Sequence, residues 1–229
     1  MVKPRVTETD EGIQDEIIVR IYDKMQRRFR DKGWMETKAI IKSGINAGTV
    51  LEIGPGPGYL GLEWLKETDG TNLKGVEISP EMIKIAEQNA REYGFEGRIE
   101  YVKSDAVHMP FEDNLFDGVF TNGSLHEWAQ PESIFNEIHR VLKPRARFYI
   151  SDLRRDINPL MKWFMLAMTK PKEIRPGFIS SINAAYKKEE IRDLLLQTKL
   201  SAASVSRTII GLEITGMKTN LSTPLRERQ

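Results

Sequence analysis

The sequence predicts an α/β protein in which a mostly parallel β-sheet is covered by helices on both faces. Three observations carry this expectation. From Thr49 onward, short apolar runs of strand length alternate with longer stretches of helical pattern, the rhythm of strand-helix-strand units. The first run ends in the glycine-rich turn Gly54-Pro55-Gly56-Pro57-Gly58, where missing side chains let a ligand approach the backbone. The patterned region closes with two strand-like runs separated by Gly211, as in an antiparallel hairpin.

The elements follow in order. Ile13, Ile17, Ile21, Met25 and Phe29 recur every fourth position and predict a docking helix over 13–29 with this face inward. Arg27, Arg28, Arg30 and Lys32 suit the negative end of its dipole. Strands are expected over 49–53, 73–78, 99–103, 116–121 and 146–151. Between them lie helical stretches over 57–66, from Ser79-Pro80 to Tyr93, and over 131–142, the second opened by a serine cap and a first-turn proline. After Asp152 the rhythm breaks into an apolar insertion over 159–169, interrupted by Pro171 and Pro176. A polar helix over 187–197 and strands over 203–210 and 212–217 complete the pattern. The expected organisation is an N-terminal helical cap over 1–44, a main domain over 45–218 containing a lid-like insertion over 156–183, and a flexible tail over 219–229.

Composition narrows the function. The 229 residues are 40% hydrophobic, sufficient for one substantial core. With 34 basic and 33 acidic side chains the formal charge is +1, so no global field favours a nucleic acid. There is no cysteine, which excludes disulfides, thiolate metal sites and cysteine nucleophiles. No apolar run is long enough to span a bilayer, and the charged N-terminus lacks a signal-peptide core, so a cytoplasmic protein is expected.

The spacing of Gly56, Gly58 and Gly61 alone suits both dinucleotide and adenosyl ligands. Glu77 closes the second strand, where a carboxylate can accept hydrogen bonds from both hydroxyls of a ribose. At the tip of the third strand, Asp105 is placed to read an adenine amine. Glu52 lies inside the first strand, where a buried carboxylate needs a cationic or hydrogen-bonding partner such as the ammonium of a methionine moiety.

The ordered set 52–58 (EIGPGPG), 76–79 (VEIS), 104–106 (SDA), 116–119 (FDGV) and 141–144 (VLKP) resembles the class I, Rossmann-like methyltransferases that use S-adenosyl-L-methionine (SAM). Within them it looks most like the group containing ubiquinone and menaquinone biosynthesis methyltransferases, and the resemblance covers about 45–218. It implies a three-layer fold whose seven-stranded sheet has a reversed last strand, in agreement with the hairpin read from Gly211. It also implies that Gly54, Gly56 and Gly58 approach the methionine part of SAM, Glu77 holds the ribose, Ile78 packs on the adenine, and Asp105 with Ala106 reads the adenine edge. S-adenosyl-L-homocysteine would be the product, and no metal is expected.

The acceptor side centres on Asn122-Gly123-Ser124-Leu125-His126-Glu127-Trp128, at the carboxyl end of the fourth strand. Asn122 is expected at the cofactor. His126 is the candidate general base, with ordering of the loop as the alternative. Trp128 is a candidate pocket wall. This loop is not the Asn-Pro-Pro-Tyr type of enzymes that methylate planar amino groups in nucleic acid or protein. Tyr22 and Met25 of the first helix and Trp163 of the insertion are candidate acceptor contacts, and Arg154 a candidate partner for an acidic group. The insertion reads as a lid over an apolar acceptor, as ordinary core, or as a dimer or peripheral membrane contact. The expected activity is methylation of a small apolar or aromatic molecule by a monomer or homodimer. A nicotinamide-dependent oxidoreductase and a noncatalytic SAM-binding protein are the alternatives.

Overall fold

The computed structural model describes residues 4–6, 12–169 and 172–219. Its strands are β1 (Thr49–Ile53), β2 (Asn72–Glu77), β3 (Ile99–Lys103), β4 (Phe116–Asn122), β5 (Leu142–Leu153), β6 (Ser204–Arg207) and β7 (Gly211–Met217). They form one sheet in the order β3-β2-β1-β4-β5-β7-β6. The pairs from β3 to β5 are parallel, whereas β7 runs antiparallel to both β5 and β6. The chain reverses direction in strand order between β1 and β4, and there the loops at the carboxyl ends of the strands diverge and leave a crevice.

The strand period of two distributes β1 between the two faces. Val50 packs with Trp64 and Leu65 of α3 (Tyr59–Lys66) and Ile40 of α2 (Thr37–Lys42). Leu51 and Ile53 lie in the opposite core with Ile134, Phe135 and Ile138 of α5 (Pro131–Val141) and Ile191 and Leu195 of α8 (Lys188–Leu196). Glu52 follows the parity of Val50 and faces α3, where a Cβ added at Gly61 would meet its Oε2 at 2.2 Å. A side chain at position 61 and the carboxylate of Glu52 therefore exclude each other.

Helix α4 (Pro80–Tyr93) begins as expected, with Ser79 accepting from the Met82 N–H and Pro80 in the first turn. The side-chain amide of Asn89 donates to the Pro57 carbonyl at 2.8 Å and ties this helix to the glycine turn.

Helix α1 spans Glu16–Asp31, capped by Asp15, and docks through a different face from the expected one. Ile17 is 68% exposed and Phe29 also lies outside, Ile21 and Met25 are half-buried at the edge, and Val19 is buried with Tyr22, Asp23, Gln26, Arg27 and Arg30 facing the domain. The surface receiving it is polar. Arg27 donates to the Tyr59 hydroxyl at 2.9 Å, Tyr59 donates to Asp23 at 2.9 Å, and Arg30 reaches the Tyr93 hydroxyl at 3.3 Å. Hydrogen bonding decides this orientation, and two of the arginines expected to complement the dipole instead hold the docking face.

The insertion consists of two helices, α6 (Pro159–Met168) and α7 (Arg175–Ala184). Pro176 sits in the first turn of α7 and starts that helix. Strand β6 ends at Arg207, before position 210, because Thr208 and Gly211 exchange hydrogen bonds across the hairpin turn. From residue 220 the expected tail lies outside the described residues.

Gly118 in the central strand β4 leaves room for Ile45, whose Cγ2 a Cβ would meet at 2.7 Å. Gly118→Ala should therefore cost about 1–3 kcal/mol by overpacking. Urea unfolding with an unchanged m-value would show it, and an unchanged midpoint would mean that Ile45 moves aside freely.

Candidate active site

The crevice over β1, β2 and β4 encloses about 1220 Å³ including its open mouth. The glycine turn forms its floor. Gly58 adopts φ +84, and a Cβ there would also meet the Tyr101 hydroxyl at 2.4 Å, so residue 58 is restricted to glycine on two counts. Above Gly56 lies the ring of Tyr22, 3.6 Å from where a Cβ would be.

Two carboxylates define the polar end. Glu77 accepts the Gly56 N–H on one oxygen and the Ser79 N–H on the other, each at 3.0 Å. Burial raises its carboxyl above the ordinary value, opposed by the N–H groups of Ser79, Gly56 and Ile78. Glu52 is more deeply placed. Burial pushes its carboxyl up to about 8, the nearby Glu77 charge adds to the rise, and the Gly61 N–H opposes it. Its Oε2 is buried without a hydrogen-bond partner. A buried acceptor of this kind fits a ligand that brings a cation, as the methionine ammonium of SAM would.

At the far edge, Asp105 caps a short 3-10 turn by accepting the Val107 N–H at 2.9 Å, beside Ala106 and Ile78 on the crevice wall. Ile13 lies on the same side, its carbonyl accepting from the Ser79 hydroxyl at 2.7 Å. Arg5 donates to the carbonyls of Ala184 at 2.6 Å and His126 at 3.0 Å, and stacks over Tyr186.

Of the residues singled out in the sequence, Glu52, Gly54, Gly56, Glu77, Ile78, Asp105, Ala106, Asn122, Tyr22 and Trp128 line the crevice. Asn122 is oriented by a hydrogen bond to Ser151 at 2.8 Å, and Trp128 packs edge-on against Phe135. Gly58 lies behind the wall. Met25, Arg154 and Trp163 are not among the lining residues, Arg154 lying 3.6 Å from Asp156 and Trp163 pointing outward.

His126 is also outside the wall, buried beneath the loop. Asp152 accepts from its backbone N–H at 2.6 Å and faces its Nδ1 at 2.9 Å, while its Nε2 lies 3.9 Å from Glu127 Oε1. The adjacent Glu127 lines the crevice, as does Gln26 of α1, which donates to the Tyr22 hydroxyl at 2.8 Å. Neither was singled out from sequence. The four-residue spacing of Tyr22 and Gln26 on one helix and the position of Glu127 beside His126 were the available signals.

Residues 51–150 match the family model described as a methyltransferase domain. With the sheet order and the reversed β7, this match shows that the chain has the fold of the class I, Rossmann-like methyltransferases and resembles the ubiquinone and menaquinone biosynthesis group. It is 26% identical over 191 residues to the demethylmenaquinone methyltransferase of Porphyromonas gingivalis, covering 76% of this chain and 78% of that one. It is 30% identical over 115 residues to the ubiquinone/menaquinone biosynthesis C-methyltransferase UbiE of Blochmanniella pennsylvanica, 49% of this chain and 45% of the other. Against several curated relatives the chain spans only between 39% and 57% of their length. A SAM-dependent methyltransferase from Aquifex aeolicus shares the fold with a TM-score of 0.67 at 21% identity, over 90% of this chain and 100% of that one. Among the described residues no group of three or more His, Asp or Glu is arranged to hold a metal ion, and no helix is long and apolar enough to cross a membrane.

The raised Glu52 carboxyl has a pH consequence. Because folding lifts it from 4.5 to about 8, the folded chain binds this proton more tightly than the unfolded chain does. Its contribution to the stability of the ligand-free protein is therefore full below about 4.5 and declines as pH rises toward about 8. In Glu52→Gln, thermal stability should fall less steeply over that window, and slopes identical to wild type would contradict the assignment.

Proposed function

We propose that this protein transfers the methyl group of SAM to a small apolar, aromatic acceptor of quinone-like character. The observation that supports this most is the proton-holding Glu52, its Oε2 buried without a hydrogen-bond partner, beneath a glycine turn that Glu77 already braces. Those residues suit a ligand with an ammonium group at one end and a ribose diol at the other. Ile78, Asp105 and Ala106 are the proposed adenine contacts, with Gly54, Gly56 and Asn122 beside the methionine part. The cofactor's contribution is an activated methyl on a sulfonium centre, so orientation and exclusion of water are the main tasks left to the protein.

The acceptor would lie toward Trp128, Tyr22 and Glu127. Burial, the Glu127 charge and other nearby carboxylates push the Tyr22 phenol up to about 12, partly offset by Gln26, so Tyr22 stays protonated at neutral pH. Since its oxygen already accepts from Gln26, its own proton is available for an acceptor oxygen. Glu127 is placed to take up a proton released there, and the Asp152-His126 contact acts through the loop that carries it. In this reading His126 is a positioning residue. The names of the relatives, which refer to demethylmenaquinone and to ubiquinone and menaquinone biosynthesis, support the acceptor class.

Single-turnover reactions with methyl-labelled SAM and reduced short-chain naphthoquinones should give a labelled product. Tyr22→Phe, which keeps the ring over Gly56, should lower the rate about fivefold, the worth of one hydrogen bond of about 1 kcal/mol. SAM binding without label transfer to any apolar acceptor would instead support the noncatalytic alternative.

A further inference from the structure

The insertion between β5 and α8 exposes an apolar face that the crevice does not use. In α6, Leu160, Trp163, Phe164 and Met168 are 73%, 67%, 53% and 50% exposed. With Ala167 they occupy positions i, i+3, i+4, i+7 and i+8, one continuous stripe of the kind that ordinarily faces a core. Here the stripe faces outward, and none of the ten residues of α6 is buried. Single exposed apolar side chains need no explanation, but a full helical stripe with a tryptophan and a phenylalanine at its centre marks an interaction surface.

Charge indicates what covers it. Residues 157–186 carry four basic side chains, Lys162, Lys170, Lys172 and Arg175, and one acidic one, Glu173. That is a net +3 in a chain whose total is +1, so the remaining residues together carry −2. Arg175 donates to the Thr169 carbonyl at 3.1 Å and the Ala167 carbonyl at 3.2 Å, which holds its charge at the C-terminal end of α6. Lys162 sits within the helix, and Lys172 follows it in a short 3-10 turn that packs against α1. An aromatic and aliphatic stripe, with Lys162 on the other side of the same helix and Lys172 and Arg175 beyond its C-terminal end, matches the two layers of an anionic bilayer surface, acyl chains below and phosphate groups above.

We propose that α6 docks this protein on the surface of an anionic phospholipid bilayer, with the Leu160-Trp163-Phe164-Met168 stripe in the headgroup and acyl boundary and Lys162, Lys172 and Arg175 at the phosphates. The surface is distinct from the crevice, because none of these residues lines it. The inference extends the proposed function, since an apolar acceptor is concentrated in the same phase, but membrane docking is measurable without any acceptor.

The test uses the full chain, with vesicles of phosphatidylcholine and phosphatidylglycerol compared with phosphatidylcholine alone. Co-sedimentation should show binding to the anionic vesicles that weakens with added salt, and Trp163 emission should shift to the blue and be quenched by brominated acyl chains. Trp163→Ser/Phe164→Ser should lower the partition coefficient at least about tenfold, and Lys162→Glu/Lys172→Glu should reduce binding to the anionic vesicles selectively. SAM affinity measured calorimetrically should be unchanged in both variants, which separates failure of docking from failure of the cofactor site. Wild-type protein that stays in the supernatant with both vesicle types would overturn the proposal. So would a dimer that the Trp163/Phe164 substitutions convert to monomer with no vesicle binding by either form, since the stripe would then be a contact between copies of the chain.

Discussion

One buried carboxylate joins the two loops on which the crevice depends. Glu77 ends β2 and takes the Gly56 N–H from the loop after β1 on one oxygen and the Ser79 N–H from the start of α4 on the other. Parallel pairing of β1 with β2 brings the two loops side by side, and the carboxylate fixes their separation. The arrangement has an electrostatic cost, visible in the raised Glu77 carboxyl, which the three surrounding N–H groups reduce. Each carboxylate oxygen has further acceptor capacity, so the same group can brace the floor and bind a diol.

Glu52 completes that logic from beneath. The strand period places it on the face of β1 that looks at α3, and Gly61 is the point at which α3 admits it. The chain therefore buries two acids near one another, and their mutual repulsion contributes to the rise at Glu52. An acid held in this way answers to a cation far more strongly than a solvated one does, because little competing water surrounds it.

Much of this is legible in the sequence. The β1 and β3 boundaries follow directly from apolar runs ended by turn residues, and the ordered glycines, Glu77 and Asp105 indicated a crevice at the carboxyl ends of the strands. Where the reading failed, tertiary context overrode a local pattern. The Ile17 to Phe29 stripe of α1 describes an amphipathic helix correctly, but Tyr59, Asn89 and Tyr93 make a polar seat that Asp23, Arg27 and Arg30 of the neighbouring face satisfy. The strand expected over 146–151 is longer in the structure: β5 begins at Leu142 and passes through Arg145 at φ +66, with the register to β4 shifting between Phe116 and Gly118. His126 lies in the expected loop, but its side chain is buried beside Asp152 while the adjacent Glu127 takes the place on the crevice wall. No local spacing in the sequence encodes that exchange.

The central claim is that Glu77 both builds the crevice and receives the ribose of SAM. Isothermal titration of SAM into wild-type protein and Glu77→Gln tests it most directly, with circular dichroism confirming that the variant is folded. The account predicts one SAM per wild-type chain and an affinity at least about tenfold lower in the variant, as expected when a charge-assisted acceptor worth about 1.5–3 kcal/mol is replaced by an amide. Equal SAM affinity in the two folded proteins would contradict it.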